Sequence, residues 1–285
     1  MERTVQERLV IVSYETLTPR MCHALSSELE AFLTGSKSSR WRLRNCRIMP
    51  LVQIPRQKDE YDAPDWSRMK LISDKFFQYE RSGENVVVQF YKNFFTVNAF
   101  RAGTEADQCP GFDVLMQMFG ECLPFIKGVL LPKVILRGLQ YEVIHHLGMS
   151  HLRPLLSSRY NANGMFDYLD VFSLLRNLSS EANADDWELD IPLKQELAYH
   201  IKGDPDKKRL QINTDVGLST PGEWYANIDM IATSRRIDEL KTSDERIAEF
   251  ETILPQYNDL HKEGVRRLLT TEMYAAINED AVCEM

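Results

Sequence analysis

Three histidines lie close together near the middle of the chain and are its most obvious candidate metal ligands. They are His145, His146 and His151, with Glu142 shortly before them. Zinc needs three or four converging ligands. Adjacent histidines on a strand or helix point apart, however, and no H-E-x-x-H motif or nearby cysteine accompanies them. A role at a helix start or an interface is therefore the favoured interpretation, and a metal site remains an outside alternative.

A basic stretch forms the second candidate site, and it contains no acidic residue between Glu30 and Asp59. Alternate residues of an extended strand share a face, so three of its arginines would project together, which suits phosphate or the carboxylates of a partner. Two alternatives stay open: charge protects an edge strand from aggregation, or these arginines pair with the acidic second half of the chain. The predicted partner-binding residues are Arg40, Trp41, Arg42, Arg44 and Arg47.

The chain lacks the short motifs that mark common enzyme classes. It has no G-x-S-x-G elbow, no phosphate-binding G-x-x-x-x-G-K loop and no G-x-G-x-x-G. Its five cysteines include no C-x-x-C pair, which predicts reduced thiols and not a zinc or redox site. The sequence therefore predicts no cofactor, and it favours a protein that is not an enzyme without deciding the matter.

The elements that would position these residues begin with a β-branched run and a helix opened by Thr18 and Pro19. Trp41 to Ile54 is expected to be an extended segment that ends at Pro50 and Pro55, since proline cannot sit inside a central ladder. Short turns and apolar periodicity then predict an antiparallel meander, a helix and one more strand. Residues 1–144 are thus predicted to form a β-α-β-β-β-β-α-β unit.

A second β region has the clearest alternation of apolar and polar residues, along 210–218 and 224–232. A long helix starting at Ser243 would cover it. We expect residues 145–190 to form a helical bridge and acidic linker, and residues 191–285 to form an antiparallel sheet with that helix. The predicted fold class is α+β, with two antiparallel meander sheets, each covered by helices, and the bridge between them.

Composition places the chain among ordinary globular proteins. It has 285 residues, 44% of them hydrophobic, which is enough for one large or two modest domains with a sizeable core. The net charge of −8 disfavours wholesale nucleic-acid binding. A polar start and the lack of an apolar run near the length of a membrane span predict a cytoplasmic protein without a membrane partner.

Several short motifs occur in a definite order along nearly the whole chain. They are Asn98 at the end of a strand pair, Leu136-Arg137 in a later strand, Ile228-Asp229 in another, and Leu260-His261 in the last long helix. In this order they resemble a sporadically distributed, uncharacterised prokaryotic protein family without a functional name. That resemblance implies no catalytic residues. The second half is also faintly similar, at the level of fold, to export-type chaperones associated with toxin-antitoxin operons.

The lack of catalytic motifs, the aromatic-rich meanders and the uneven charge favour a non-enzymatic accessory or adaptor protein. It would act by protein-protein interaction, with another protein or with a second copy of itself, in a bacterial defence or conflict system. The alternatives are a nucleic-acid-binding accessory protein that uses the basic strand, a chaperone-like binder of unfolded chains, and a metal-dependent enzyme with an unrecognised site.

Overall fold

The computed structural model describes most of the chain, with gaps. The described residues are 4–35, 41–53, 70–81, 83–101, 108–148, 194–204, 208–218, 224–234, 243–269, 271, 274 and 275. Most of the predicted bridge, residues 149–190, lies outside them. The part of it that is described, His145 to Leu147, belongs to a strand. Strand β6 thus extends three residues beyond the predicted boundary at 144, and the helical bridge stays a prediction.

The first part of the chain follows the predicted order of elements. Its elements are β1 (Val5–Tyr14), α1 (Pro19–Thr34), β2 (Trp41–Gln53), β3 (Lys70–Arg81), β4 (Val86–Phe90), β5 (Phe94–Phe100), α2 (Phe112–Phe125) and β6 (Leu136–Leu147). A π-helical turn (Ile126–Leu130) and a 3-10 turn (Leu131–Lys133) connect α2 to β6. The later elements are β7 (Lys194–His200), β8 (Lys208–Leu218), β9 (Trp224–Ser234) and α3 (Ser243–Leu268).

The nine strands of the described residues belong to one antiparallel sheet, in the order β2-β3-β4-β5-β1-β6-β9-β8-β7. The prediction of an α+β fold is confirmed, and the prediction of two sheets is not. The two meanders join where β6 pairs with β9, from Gln140 opposite Thr233 to Leu147 opposite Ala226. Alternation of apolar and polar residues within each strand indicated which face is buried. The pairing of β6 with β9 could not be predicted, because strands so far apart in sequence share no local sequence pattern.

The helices α1, α2 and α3 pack on one face of this sheet, which we call the helix face. Thr18 caps α1 by accepting a hydrogen bond from the Met21 amide at 3.3 Å, as the sequence predicts. The helix α3 meets α2 through Phe250 and Phe119, whose ring centroids lie 6.4 Å apart. Gly264 lets α3 approach β8 closely, since a Cβ there would clash with the Leu210 side chain. The core therefore lies between the helices and the sheet.

Residues Phe112–Lys133 form one helical stretch of 22 residues that contains an 18-residue window with a mean hydropathy of 1.5, long and apolar enough to cross a membrane by length and composition alone. The expectation of a cytoplasmic protein without a membrane partner stays a prediction. Pro124 lies inside α2 and does not end the helical conformation, since α2 continues into the π-helical turn. Leu115, Phe119 and Cys122 in this stretch are fully buried in the core, and core helices pass the same test.

The basic strand β2 differs from its predicted form in two ways. It passes through Pro50 and ends at Gln53, one residue before the predicted end at Ile54. Its position at the edge of the sheet explains this difference, since an edge strand can turn the proline nitrogen away from its neighbour. The register with β3 also shifts between Leu43 and Asn45, so the uninterrupted alternation assumed for this stretch is broken at Arg44.

Candidate functional site

Strand β6 lies near the centre of the sheet and presents ionisable groups on both of its faces. His145 is buried on the helix face, whereas Glu142 and His146 lie on the opposite face, which we call the polar face. His151 lies outside the described residues. Among the residues that are described, no group of three or more His, Cys, Asp or Glu side chains is placed to hold a metal. The strand thus separates Glu142 and His146 from His145.

On the helix face, His145 forms a buried pair with His261 of α3. Their Nε2 atoms are 2.8 Å apart, and the rings stack with centroids 5.1 Å apart. The Nδ1 atom of His145 lies 2.9 Å from Thr4 Oγ1. The Nδ1 atom of His261 is buried and has no hydrogen-bond partner. The pair therefore connects β6 to α3 by one hydrogen bond between two imidazoles.

The tautomers of this pair follow from its geometry. A single proton lies between the two Nε2 atoms, because both rings cannot donate to each other. We place this proton on Nε2 of His261, which leaves the buried Nδ1 of His261 as an acceptor without a donor. The other tautomer would put an N–H without an acceptor at the same position, and that is more costly. His145 then donates from Nδ1 to Thr4.

Both histidines are held neutral. Burial lowers the pKa of His145 to about 3, and the positive charge of Arg8 acts in the same direction. The pKa of His261 also lies well below its usual value, first because of burial and then because of His145, Arg8 and Lys262. Two neutral rings at hydrogen-bond distance in a packed core stabilise the contact between helix and sheet, so we assign this pair a structural role.

Next to the histidines, a buried arginine completes the polar contacts of the helix face. Arg8 of β1 is 2% exposed, and its Nη1 lies 3.4 Å from the Tyr141 hydroxyl. Tyr141 donates to Asn258 Oδ1 of α3 at 3.2 Å. These groups link β1, β6 and α3, and they hold the positive charge of Arg8 near the imidazole pair.

The polar face carries a second cluster, in two neighbouring rows of the sheet. In one row, Asn98 of β5, Leu9 of β1 and Glu142 of β6 are paired across the strands. The other row runs from Glu7 of β1 through Ile144 of β6, Asp229 of β9 and Asn213 of β8. Residues in register on adjacent strands share a face, so three carboxyl groups and two amides lie on the same side of the sheet.

Hydrogen bonds connect the members of this cluster. Asn98 Nδ2 donates to Glu7 Oε1 at 2.9 Å, and Asn213 Nδ2 donates to Asp229 Oδ2 at 3.0 Å. Glu142 and Asp229 share a hydrogen bond between their carboxyl groups. One buried oxygen atom in the cluster, Asn98 Oδ1, has no hydrogen-bond partner.

Glu142 on the polar face holds a proton at neutral pH. Burial raises the pKa of Glu142 to about 8, and the negative charge of Asp229, their hydrogen bond and the charge of Glu7 raise it further. Burial also raises the pKa of Asp229, against the effect of its hydrogen bonds from Asn213 and Glu142. Protonated Glu142 therefore donates the hydrogen bond that it shares with Asp229.

Sequence reasoning identified Glu142 but missed the residues that surround it. Glu7 and Asn98 are 91 positions apart, and Asp229 lies in the second β region. No local spacing connects them. Only the pairing of β5, β1, β6 and β9 could have brought them together, and a sequence-based prediction would have needed the strand order of the whole sheet.

The basic strand β2 lies at the edge of the sheet. Trp41 is 8% exposed, and the Arg81 guanidinium lies 5.9 Å from the centroid of its ring. Arg42 and Leu43 are exposed. Arg44 and Arg47 belong to the same strand, and Arg40 lies outside the described residues. The expectation that these residues form a partner-binding patch stays a prediction.

Comparisons of this chain with protein-family models, with curated proteins and with solved structures found no match. The resemblance to an uncharacterised prokaryotic family therefore stays a prediction, and so does the similarity to export-type chaperones.

Proposed function

We propose that this protein is a non-enzymatic accessory protein that binds another protein by adding an extended acidic segment of that partner to the edge strand β2. The observation that carries the proposal is the position of a long basic strand at the end of the sheet order. Edge strands present backbone N–H and C=O groups that can pair with another chain, and peptide recognition by strand addition is a recurring mode of binding.

The backbone of β2 determines which residues of this edge can pair with an added strand. Within the described part of the chain, β2 pairs with β3 alone. Pro50 has no N–H to offer to an added strand, so we expect the partner to extend along Trp41–Met49. Trp41 is buried beneath Arg81 and would support the strand from below, while exposed Arg42 would meet the partner directly.

Charge selects the partner. The strand from Trp41 to Gln53 contains three arginines and no acidic residue. An acidic segment is therefore attracted to this edge and a basic one is repelled, and the attraction should weaken as salt screens it. Main-chain hydrogen bonds would supply affinity and the arginines would supply selectivity.

A peptide-display experiment tests the proposal with random peptides in place of the natural partner. Peptides of about ten residues, roughly the span of strand before the proline, are selected on the wild-type protein. We expect acidic, strand-forming sequences to be enriched, and to lose at least tenfold in affinity for an Arg42→Glu/Arg47→Glu variant. Backbone N-methylation at alternate positions should also remove binding, because it removes ladder hydrogen bonds.

The matched control is Arg20→Glu, which reverses an exposed arginine on α1 and should leave affinity unchanged. Selected peptides that bind wild type and the β2 variant equally would show that this edge is not the binding site. A labelled oligothymidine titrated in parallel tests the nucleic-acid alternative. Tight, salt-sensitive binding that depends on Arg42 and Arg47 would favour that alternative over the protein partner.

A further inference from the structure

We propose that the edge strand β7 pairs with the β7 strand of a second copy of this chain, antiparallel and centred on Tyr199, so that the two sheets become continuous. This edge lies at the opposite end of the sheet from β2, so the contact does not rest on the proposed function.

The strand β7 carries little protection against pairing. Within the described part of the chain it pairs with β8 alone. Edge strands usually avoid association by means of charged side chains, above all lysine, or proline. Residues 195–201 contain no lysine, arginine or proline, and Glu196 is their only acidic residue, whereas β2 carries three arginines and Pro50. The edge at β7 is therefore the one that is open to a second strand.

The apolar core reaches the outside of the molecule along this strand. Leu197 and Tyr199 lie opposite two residues of β8 that are buried on the helix face, Ile212 and Leu210. Leu197 packs against the core, whereas Tyr199 is 37% exposed and Ile201 is 42% exposed. Because alternate residues share a face, these three side chains form one apolar stripe, which we call the edge stripe.

Two-fold symmetry pairs the edge stripe with itself. A two-fold axis perpendicular to the sheet makes the added strand antiparallel and keeps the helix faces of both copies on the same side. With the axis at Tyr199, the two Tyr199 side chains lie opposite each other, and Leu197 of each copy lies opposite Ile201 of the other. Each apolar residue of the stripe thus gains an apolar neighbour across the axis.

The backbone groups of β7 fit this register. The Ile201 N–H donates to the Lys208 carbonyl oxygen at 3.5 Å, so the peptide groups of Ile201 face β8. These groups alternate in direction along an antiparallel strand, and those of His200 and Ala198 consequently point away from β8. With the axis at Tyr199, Ala198 of each copy lies opposite His200 of the other, where the two residues can exchange main-chain hydrogen bonds.

Opposite charges meet at both ends of the paired strands. Glu196 of each copy lies opposite Lys202 of the other, and both side chains are exposed. Opposite charges stabilise a strand pair and like charges destabilise it. A register centred on Ala198 would place Glu196 opposite His200, and one centred on His200 would place it opposite Asp204. Charge complementarity therefore selects the register centred on Tyr199.

Sedimentation velocity of the 285-residue chain tests the association from about 1 µM to about 200 µM, since mass action sets the fraction of dimer. We expect a monomer–dimer equilibrium. Tyr199→Lys puts two lysines opposite each other and should weaken the dimer at least tenfold. The matched control is Ile135→Lys, which changes an apolar residue that is 60% exposed and precedes β6, and it should change nothing. A wild-type protein that stays monomeric throughout would overturn the proposal.

Exchange of the paired charges tests the register. Glu196→Lys and Lys202→Glu each place like charges opposite each other and should weaken the dimer at least threefold. The double variant Glu196→Lys/Lys202→Glu restores opposite charges and should bring the dissociation constant back to within about twofold of the wild-type value, a recovery that a misfolded variant would not show. Losses that add in the double variant would overturn the register.

Cross-linking locates the axis independently. Only a residue on the axis faces its own counterpart, at a Cα separation of about 4.5–5.5 Å that a disulfide can span. Tyr199→Cys should therefore form a covalent dimer under mild oxidation and His200→Cys should not, with wild type and its five native cysteines as the blank. The Arg42→Glu/Arg47→Glu variant should dimerise as wild type does. A dimer that this β2 variant abolishes, or one that His200→Cys cross-links equally well, would overturn the proposal.

Discussion

On the two faces of strand β6, burial shifts the pKa values of ionisable groups in opposite directions. On the helix face, burial keeps His145 and His261 without their protons, so neither ring carries a charge. On the polar face, burial keeps Glu142 with its proton, so one of the neighbouring carboxyl groups is neutral. Removal from water disfavours the charged form of any group, which lowers the pKa of a base and raises that of an acid.

The difference between the faces lies in what surrounds each pair. The histidines lie under α3 in a packed core, where only protein atoms can contact them. The carboxyl groups of Glu7, Glu142 and Asp229 are only partly buried. The helix face therefore holds its polar groups inside the packed core, whereas the polar face leaves its carboxyl groups partly exposed to solvent.

The largest expected contrast is in packing. Phe250→Ala empties a fully buried site on the helix face and should lower the free energy of unfolding by about 3–5 kcal/mol. Ile231→Ala removes a partly exposed side chain on the polar face and should cost only about 1–2 kcal/mol. Urea denaturation measures both. Equal losses would mean that the polar face is packed as tightly as the core.

The histidine pair should affect how the free energy of unfolding depends on pH in the acid range. The pKa of His145 falls from 6.5 to about 3 on folding, so the unfolded chain binds more protons throughout that range. Stability should therefore decrease as the pH falls from 6.5 towards 3, by on the order of 4–5 kcal/mol from His145 alone.

A His145→Leu/His261→Leu variant isolates this effect, because replacing both partners leaves neither ring unsatisfied. Urea unfolding at several pH values should show a flatter acid limb for the variant than for wild type, although other carboxylates contribute to both. Parallel acid limbs would show that the histidine pair does not resist protonation.

The carboxyl pair should produce the opposite pH dependence. The pKa of Glu142 rises from 4.5 to about 8 on folding, so the folded state binds more protons between these values. Its contribution to stability is complete below pH 4.5 and is lost as the pH rises through 8, by about 1–2 kcal/mol after allowance for partial exposure.

Glu142→Gln mimics the protonated acid and should remove this loss. Thermal unfolding of wild type and variant, compared between pH 5 and 8.5, should converge at the acid end and separate at the alkaline end. A constant difference across the range would mean that Glu142 does not hold its proton in the folded protein.

The smallest effect should come from an ion pair that lies on neither face. Lys133 and Glu28 form a salt bridge at 2.7 Å with both side chains 44% exposed. Lys133→Ala should change stability by less than about 0.5 kcal/mol, because exposed ion pairs contribute little. A loss above about 1 kcal/mol, measured by urea denaturation, would show that surface charge matters here as much as the buried pairs do.

Local sequence patterns were sufficient to predict the individual helices and strands discussed next. Thr18 and Pro19 began α1 as expected, and the alternation around Ile212 and Ile228 predicted β8 and β9. These successes share a cause, since caps and residue periodicity depend on neighbours within a few positions. The extended segment from Trp41 was also predicted, but the passage of β2 through Pro50 depends on whether the strand lies at an edge, which is a property of the complete sheet.

The candidate sites show the same division. The chain itself determined that Glu142, His145 and a basic stretch exist, and that adjacent strand residues face opposite ways. Only the tertiary structure decided that β6 joins β1 to β9, which places His145 against His261 and Glu142 beside Asp229. Proton affinity depends on which groups lose water together, and that follows from contacts between residues far apart in sequence.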